Sequence, residues 1–238
     1  MMFANSLISG FFQSNAIGQA IVLAQVGLSV IMTACIIGKW LQLKRMRHLS
    51  RAKGHEIMAN GDVLSYYVSR NIGKVTPVEV IYRMTCERLV KMFSREERNQ
   101  IAARTPGLAL SISSREMELV KNQCEYAFGE EEIGIEYGMG MIATVVAITP
   151  MLGLLGTVWG VLDAFAEMGA QGNATISTLA PSISAALVTT VVGLLIAIPG
   201  VAAYNWLSAQ IKDIISDIEK FTNDLLGRIA LEMQRRDA

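Results

Sequence analysis

Between Tyr137 and Ile211 the chain has no lysine and no arginine. Histidine is nearly as scarce, with only His48 and His55, both on a basic stretch, where a solvated surface residue is the plain reading and no role is assigned. The three cysteines, Cys35, Cys86 and Cys124, have neither the context of an oxidised framework nor a metal-binding spacing. No segment has the pattern of a nucleotide loop, a nucleophile elbow or a metal box. Together these absences argue against enzymatic chemistry, and no cofactor, metal or nucleic-acid partner is expected.

The region without basic residues carries two long apolar runs, Ile142 to Asp163 and Ser177 to Leu207, and a third runs from Ile17 to Lys39. Each exceeds the ~20 residues that a helix needs to cross the hydrocarbon of a bilayer, and a spanning backbone must satisfy its own polar groups. The run from Ile17 to Lys39 is too long, and lacks the basic leader, for a cleaved secretory signal. The 21 basic residues fall into two blocks, Lys39 to Lys121 and Lys212 to Arg236. Basic residues flanking short loops stay on the cytoplasmic side, which predicts an N-out, C-in topology. The expected fold is all-α: a periplasmic N-terminus (1–16), spans at 17–38, 137–167 and 178–206, a cytoplasmic helical domain (39–136), a periplasmic hairpin (168–177) and a cytoplasmic C-terminal helix (207–238).

Two capping boxes organise the segment between the first two spans. Thr76-Pro77-Val78-Glu79 and Ser113-Ser114-Arg115-Glu116 each place a hydroxyl where it can accept from an amide three residues on, with a carboxylate able to reach back. Thr105-Pro106-Gly107 breaks the chain between the two helices. Val80, Met84, Leu89 and Met92 form the apolar face of the first, and Met117, Leu119, Val120, Tyr126 and Phe128 that of the second. The acidic run Glu130 to Glu132 reads as a solvated face. After the third span, Leu207, Ile211, Ile214, Ile218, Phe221, Leu225 and Ile229 recur at intervals of four and three, the seam of a helix packed on a partner. One chain is not expected to bury that seam, which points to a stem shared with neighbouring subunits.

On a helix, Thr149, Gly153, Gly156, Thr157 and Gly160 fall on one face, and Ser182, Ala186, Thr189, Thr190, Gly193 and Ala197 form a similar stripe on the third span. Close helix packing explains such stripes, with hydroxyls bonded to the preceding turn; a lining touched by a polar or ion-carrying partner is the functional alternative.

Pro150-x-x-Gly153-Leu154-x-Gly156-Thr157-Val158-Trp159-Gly160 is followed by Ala180-Pro181-x-Ile183 and by Ala186-Leu187-x-x-Thr190-x-x-Gly193-Leu194. Ala197-Ile198-Pro199 and Tyr204-Asn205 complete the pattern. It resembles the ExbB/TolQ/MotA family of ion-driven motor subunits, and three spans make it more similar to ExbB and TolQ than to the flagellar stator. The resemblance implies an inner-membrane homopentamer around the transmembrane helices of two ExbD/TolR-type subunits, which carry an essential Asp, with a TonB- or TolA-type protein beyond them. It implies that Thr157 and Thr190 stand beside that Asp; Thr149, Ser182, Ala185 and Thr189 are expected on the same ion pathway. Gly153, Gly156, Gly160, Gly193, Pro150, Pro181 and Pro199 are then helix-packing positions. A hydroxyl suits such a place, because it donates to an ionised carboxylate and accepts from a protonated one.

One position departs from the family. ExbB and TolQ place a Glu five residues before the second threonine, and Ala185 stands there. Asp163 and Glu167 are the nearest acids, either a cation-gathering periplasmic entrance or interfacial residues that end a helix. The functional expectation is a proton-driven subunit for energised outer-membrane transport. A TolQ-like role in envelope integrity and cell division, and a non-conducting scaffold for its partner, are the alternatives.

Overall fold

A computed structural model describes residues 10–12, 14–59, 63–69, 76–103, 111–171 and 176–233. The Thr105–Gly107 break, residues 172–175 of the expected hairpin and most of the N-terminal segment lie outside the described residues. The elements are α1 (Ala16–Ala59), α2 (Val63–Ser69), α3 (Pro77–Met92), α4 (Arg95–Ala102), α5 (Ser114–Glu136), α6 (Met139–Gln171) and α7 (Ile176–Met233). There is no strand among the described residues. Three stretches are long and apolar enough to cross a membrane: Ala16–Ala59, Ser114–Gly169 and Leu179–Met233. Between α5 and α6 the chain turns at Tyr137 and Gly138, whose φ of 89° lies where a side chain would be strained.

The chain divides into two compact units. The first is Met1–Trp40 with Gly138–Ser208. Its interior is small and polar: Gln25, Thr149, Thr189 and Ala185 are buried, with Gly153, Gly156 and Gly193 between them. Its large apolar side chains point outward, among them Val30, Met151, Leu162 and Ile198. That inversion is the mark of helices packed in lipid, where burying another leucine gains little and close approach of small residues gains more. Pro150 lies inside α6, and Pro181 and Pro199 inside α7.

The second unit is Leu41–Tyr137 with Ala209–Ala238. Here α3 packs along α5, and Ile81, Tyr82, Leu89, Val120 and Ala127 are fully buried. Cys86 and Cys124 are buried in this core, and burial pushes the Cys124 thiol up. The Tyr82 hydroxyl donates to the Val63 carbonyl, and burial raises its pKa too. The C-terminal half of α1 runs beside that of α7: Arg51 pairs with Asp217 at 2.8 Å, and Arg228 donates to the Met58 carbonyl at 2.7 Å.

This arrangement corrects one expectation. All seven seam residues from Leu207 to Ile229 are at most 8 % exposed within the single chain. The chain covers its own seam, so that seam does not require a second subunit. A second correction concerns the caps. Ser113 and Glu116 form a reciprocal box, and so do Ser94 and Glu97 at the start of α4. At Thr76 only half of the box forms: the hydroxyl accepts from the Glu79 amide, but the carboxylate meets the Thr76 hydroxyl at 3.2 Å and lies 3.9 Å from Lys53. A nearby ammonium gives that buried carboxylate a partner other than the backbone.

Candidate functional site

The stripes of α6 and α7 face each other. A methyl carbon added at Gly153 would lie 2.8 Å from the Thr189 carbonyl oxygen and 2.9 Å from Thr190 Cα. One at Gly156 would meet the Thr189 hydroxyl at 2.5 Å, and one at Gly160 the Ala186 side chain at 2.6 Å. Glycine at these positions is therefore a requirement of close backbone approach. Small-residue packing within one chain accounts for Gly153, Gly156, Gly160 and Gly193.

Where the backbones meet, hydroxyls collect on one carbonyl. The Gly153 oxygen is 2.9 Å from the hydroxyls of Thr157, Thr189 and Thr190. Thr189 also reaches the Ala186 carbonyl at 2.8 Å, and the Thr157 and Thr190 hydroxyls bond to each other across the two helices. Thr157 and Thr190 are half-buried, at the edge of the helix pair. Thr149 and Thr189 are fully buried, and the Thr149 hydroxyl is spent on Val145 at 2.6 Å. Of the six residues expected on the pathway, then, Thr157, Thr190 and Ser182 are half-buried, and Thr149, Thr189 and Ala185 lie inside.

Ala185 and Ser182 line a pocket of about 170 Å³ together with Asp163 and Glu167. Asp163 is not a free carboxylate: Asn15 donates to it at 2.6 Å while accepting from the Gly18 amide at 2.9 Å, so one side chain caps α1 and ties it to α6. Glu167 is exposed. Among the described residues no group of His, Cys, Asp and Glu is arranged to hold a metal ion.

Two residues escaped the reading of the sequence. One is Asn15; the other is Gln25, fully buried, which donates to the carbonyls of Thr149 at 3.1 Å and Thr189 at 3.2 Å. The signal was there, since an amide in the middle of an apolar span must find partners.

The sequence pattern of the MotA/TolQ/ExbB proton channel family matches residues 90–220, just over half of the chain. The chain belongs to this family. It is 30% identical over 208 residues to the biopolymer transport protein ExbB of Neisseria meningitidis, covering 86% of this chain and 91% of that protein. It is 29% identical over 216 residues to the Tol-Pal system protein TolQ of Haemophilus influenzae, covering 90% of this chain and 89% of that one. With ExbB of Xanthomonas campestris the identity is 38% over 121 residues, and the chain spans about half of that relative, 47% of its length. With its three apolar helices, this family member is a multi-pass membrane protein. The matched region includes every residue of the threonine cluster.

Proposed function

We propose that this chain is a subunit of a proton-driven motor of the inner membrane, oriented N-out and C-in. Five copies surround two single-span subunits of the ExbD/TolR type, and the assembly converts proton-motive force into work for energised outer-membrane transport. The observation that carries this reading is the Thr157–Thr190 pair, two half-buried threonines on facing helices inside the family match, with their hydroxyls bonded to each other. In a water-poor site such a pair eases both protonation states of a visiting carboxyl without adding a charge of its own. With Ala185 buried and no acid at that position, the ion-carrying carboxylate belongs to the partner. Ser182 and Thr189 line the inner wall of the Asp163 pocket, and exposed Glu167 gathers cations at its periplasmic mouth. The five-fold ring rests on family membership, because the chain covers its own cytoplasmic seam.

The Haemophilus relative supports a second reading, a TolQ-like role in envelope integrity, since it matches over as much of the chain as the Neisseria ExbB does. Adjacent genes separate the two: a TonB-like frame favours uptake, and a lipoprotein or propeller frame favours the Tol system. The motor itself is tested in liposomes holding this chain and its partner. Proton flux should be present, should vanish when the partner's membrane acid is replaced, and should fall when Thr157→Val and Thr190→Val are combined. No flux under any condition makes the chain a scaffold. Native mass spectrometry from mild detergent should give the mass of five copies, and a monomer that retains its partner would rule out the ring.

A further inference from the structure

Gln25 is the one amide that span 1 buries between the other two helices of its unit. Both of its donor contacts go to main-chain oxygens, one on α6 and one on α7, at Thr149 and Thr189. Each carbonyl lies one helical turn before a glycine, and the amide occupies the notch that these glycines leave. A methyl carbon would stand 3.2 Å from Gln25 Nε2 if added at Gly153, and 2.8 Å if added at Gly193. The arrangement repeats Thr-x-x-x-Gly on both helices, Thr149 with Gly153 and Thr189 with Gly193, and the glutamine bridges the two copies. Its Oε1 is buried and meets no donor.

We propose that Gln25 is the positioning residue of the threonine pair: by holding one main-chain carbonyl of each helix it fixes their axial register, and with it the meeting of Thr157 and Thr190. The tie lies next to the pair on α7 and two turns from it on α6. A slip of one residue is a displacement of about 1.5 Å along a helix. That is enough to break a hydroxyl–hydroxyl bond, which needs the oxygens within roughly 3 Å. The same slip moves Gly153, on whose oxygen the three threonines converge. A space-filling role does not explain the residue. Leucine or methionine would fill the notch without burying an unmatched oxygen, and both carbonyls keep the bonds of their own helices, so their loss of the amide is tolerable. The consequence for ion flux rests on the proposed function, whereas the consequence for register does not.

The test reads register first. In the full-length protein carrying Thr157→Cys and Thr190→Cys, mild oxidation should form a bond within one chain. Both positions lie in the tryptic peptide between Lys121 and Lys212, so the bond appears as a mass loss without a dimer on a non-reducing gel. Adding Gln25→Met, which keeps length and volume but removes the donors, should slow that bond at least threefold or so, given how strictly disulfides depend on geometry. Gln25→Glu supplies a reversible control. At acid pH its protonated carboxyl offers one donor and should recover part of the rate, and at alkaline pH an acceptor-only carboxylate faces two carbonyl oxygens and should not. Rates are compared with the Gln25 protein at each pH, which cancels thiol ionisation. With native threonines and partner present, Gln25→Met should lower proton flux by up to about a hundredfold, the order of effect that a misplacement near 1 Å produces. Should these variants fail to assemble, solid-state NMR of the unaltered protein decides: a short contact between Gln side-chain nitrogen and Thr carbonyl carbon supports the clamp, and its absence overturns it. Unchanged cross-linking in Gln25→Met and Gln25→Glu at every pH also overturns it. Slowed cross-linking in a protein that never conducts leaves the clamp standing and removes the motor reading instead.

Discussion

The two units of this chain bury opposite kinds of residue. One keeps Gln25, Thr149, Thr189 and a row of glycines inside and turns Val30, Met151 and Leu162 outward; the other hides Ile81, Tyr82, Leu89 and Val120. The same alphabet is sorted by two solvents. In water, apolar area removed from the surface drives the sorting, at roughly 25 cal/mol per Å². In lipid the outside is as apolar as any leucine, so an interior is recognised by how closely backbones approach and by polar groups that find one another.

The comparison can be broken by making equivalent cuts on the two sides. The largest effect is expected in the water-facing core, where Leu89→Ala should cost about 2–5 kcal/mol in denaturant unfolding, because a fully buried leucine leaves a cavity. A cost below about 1 kcal/mol would mean that this core is not close-packed.

Next comes a methyl group added rather than removed. Gly153→Ala and Gly193→Ala meet backbone oxygens at 2.8 and 2.9 Å, and should lower the thermal stability of the detergent-solubilised protein by about 1–3 kcal/mol. The identical change at Gly129, in the other unit, meets nothing within 4 Å and should stabilise α5 by up to about 1 kcal/mol. One substitution with opposite signs in the two units is the sharpest form of the contrast, and equal signs would erase it.

Thr157→Val should be nearly silent in stability, since a hydroxyl bond between membrane helices averages about 0.6 kcal/mol, while partner-dependent flux falls. A large thermal shift would recast the pair as structural.

The smallest effect is a titration. The Ser94 and Ser113 backbone amides hold the carboxyls of Glu97 and Glu116 below their ordinary value of 4.5. A depressed carboxyl gives its stabilisation in full above the unfolded value, and loses it as pH falls through the lower folded value. Amide exchange in the first turns of α4 and α5 should therefore be unchanged from neutral pH to about 5 and rise, beyond the intrinsic pH trend, below that. Glu97→Gln and Glu116→Gln should flatten the response.

What the sequence made legible follows from the range of each interaction. The helix starts at Pro77 and Ser114 were readable because a cap and its amide are three residues apart. The facing stripes were readable because spacing alone sets a helix face. What covers the Leu207–Ile229 seam was not, since the covering helices come from residues far away in the chain. Asn15 meeting Asp163 and Gln25 meeting Thr149 and Thr189 depend on folding over separations of 124 to 164 residues, which no local pattern reports.

The oxygen of Gly153 is oversubscribed. Its helix already supplies an amide from Thr157, so a single lone pair remains for three hydroxyls. Thr189 can turn to Ala186, which leaves Thr157 and Thr190, and only one of them can donate to the carbonyl while the other donates to it in turn. Two arrangements satisfy every atom, and they differ only in which threonine stands in the middle. Either oxygen can be the donor of the bond between them, so the pair holds one binary choice that the oxygen positions do not settle. Exchanging the two reverses the small dipole at the helix edge without breaking the frame around it. A charge arriving there meets a surface that can answer either sign by turning two hydrogens.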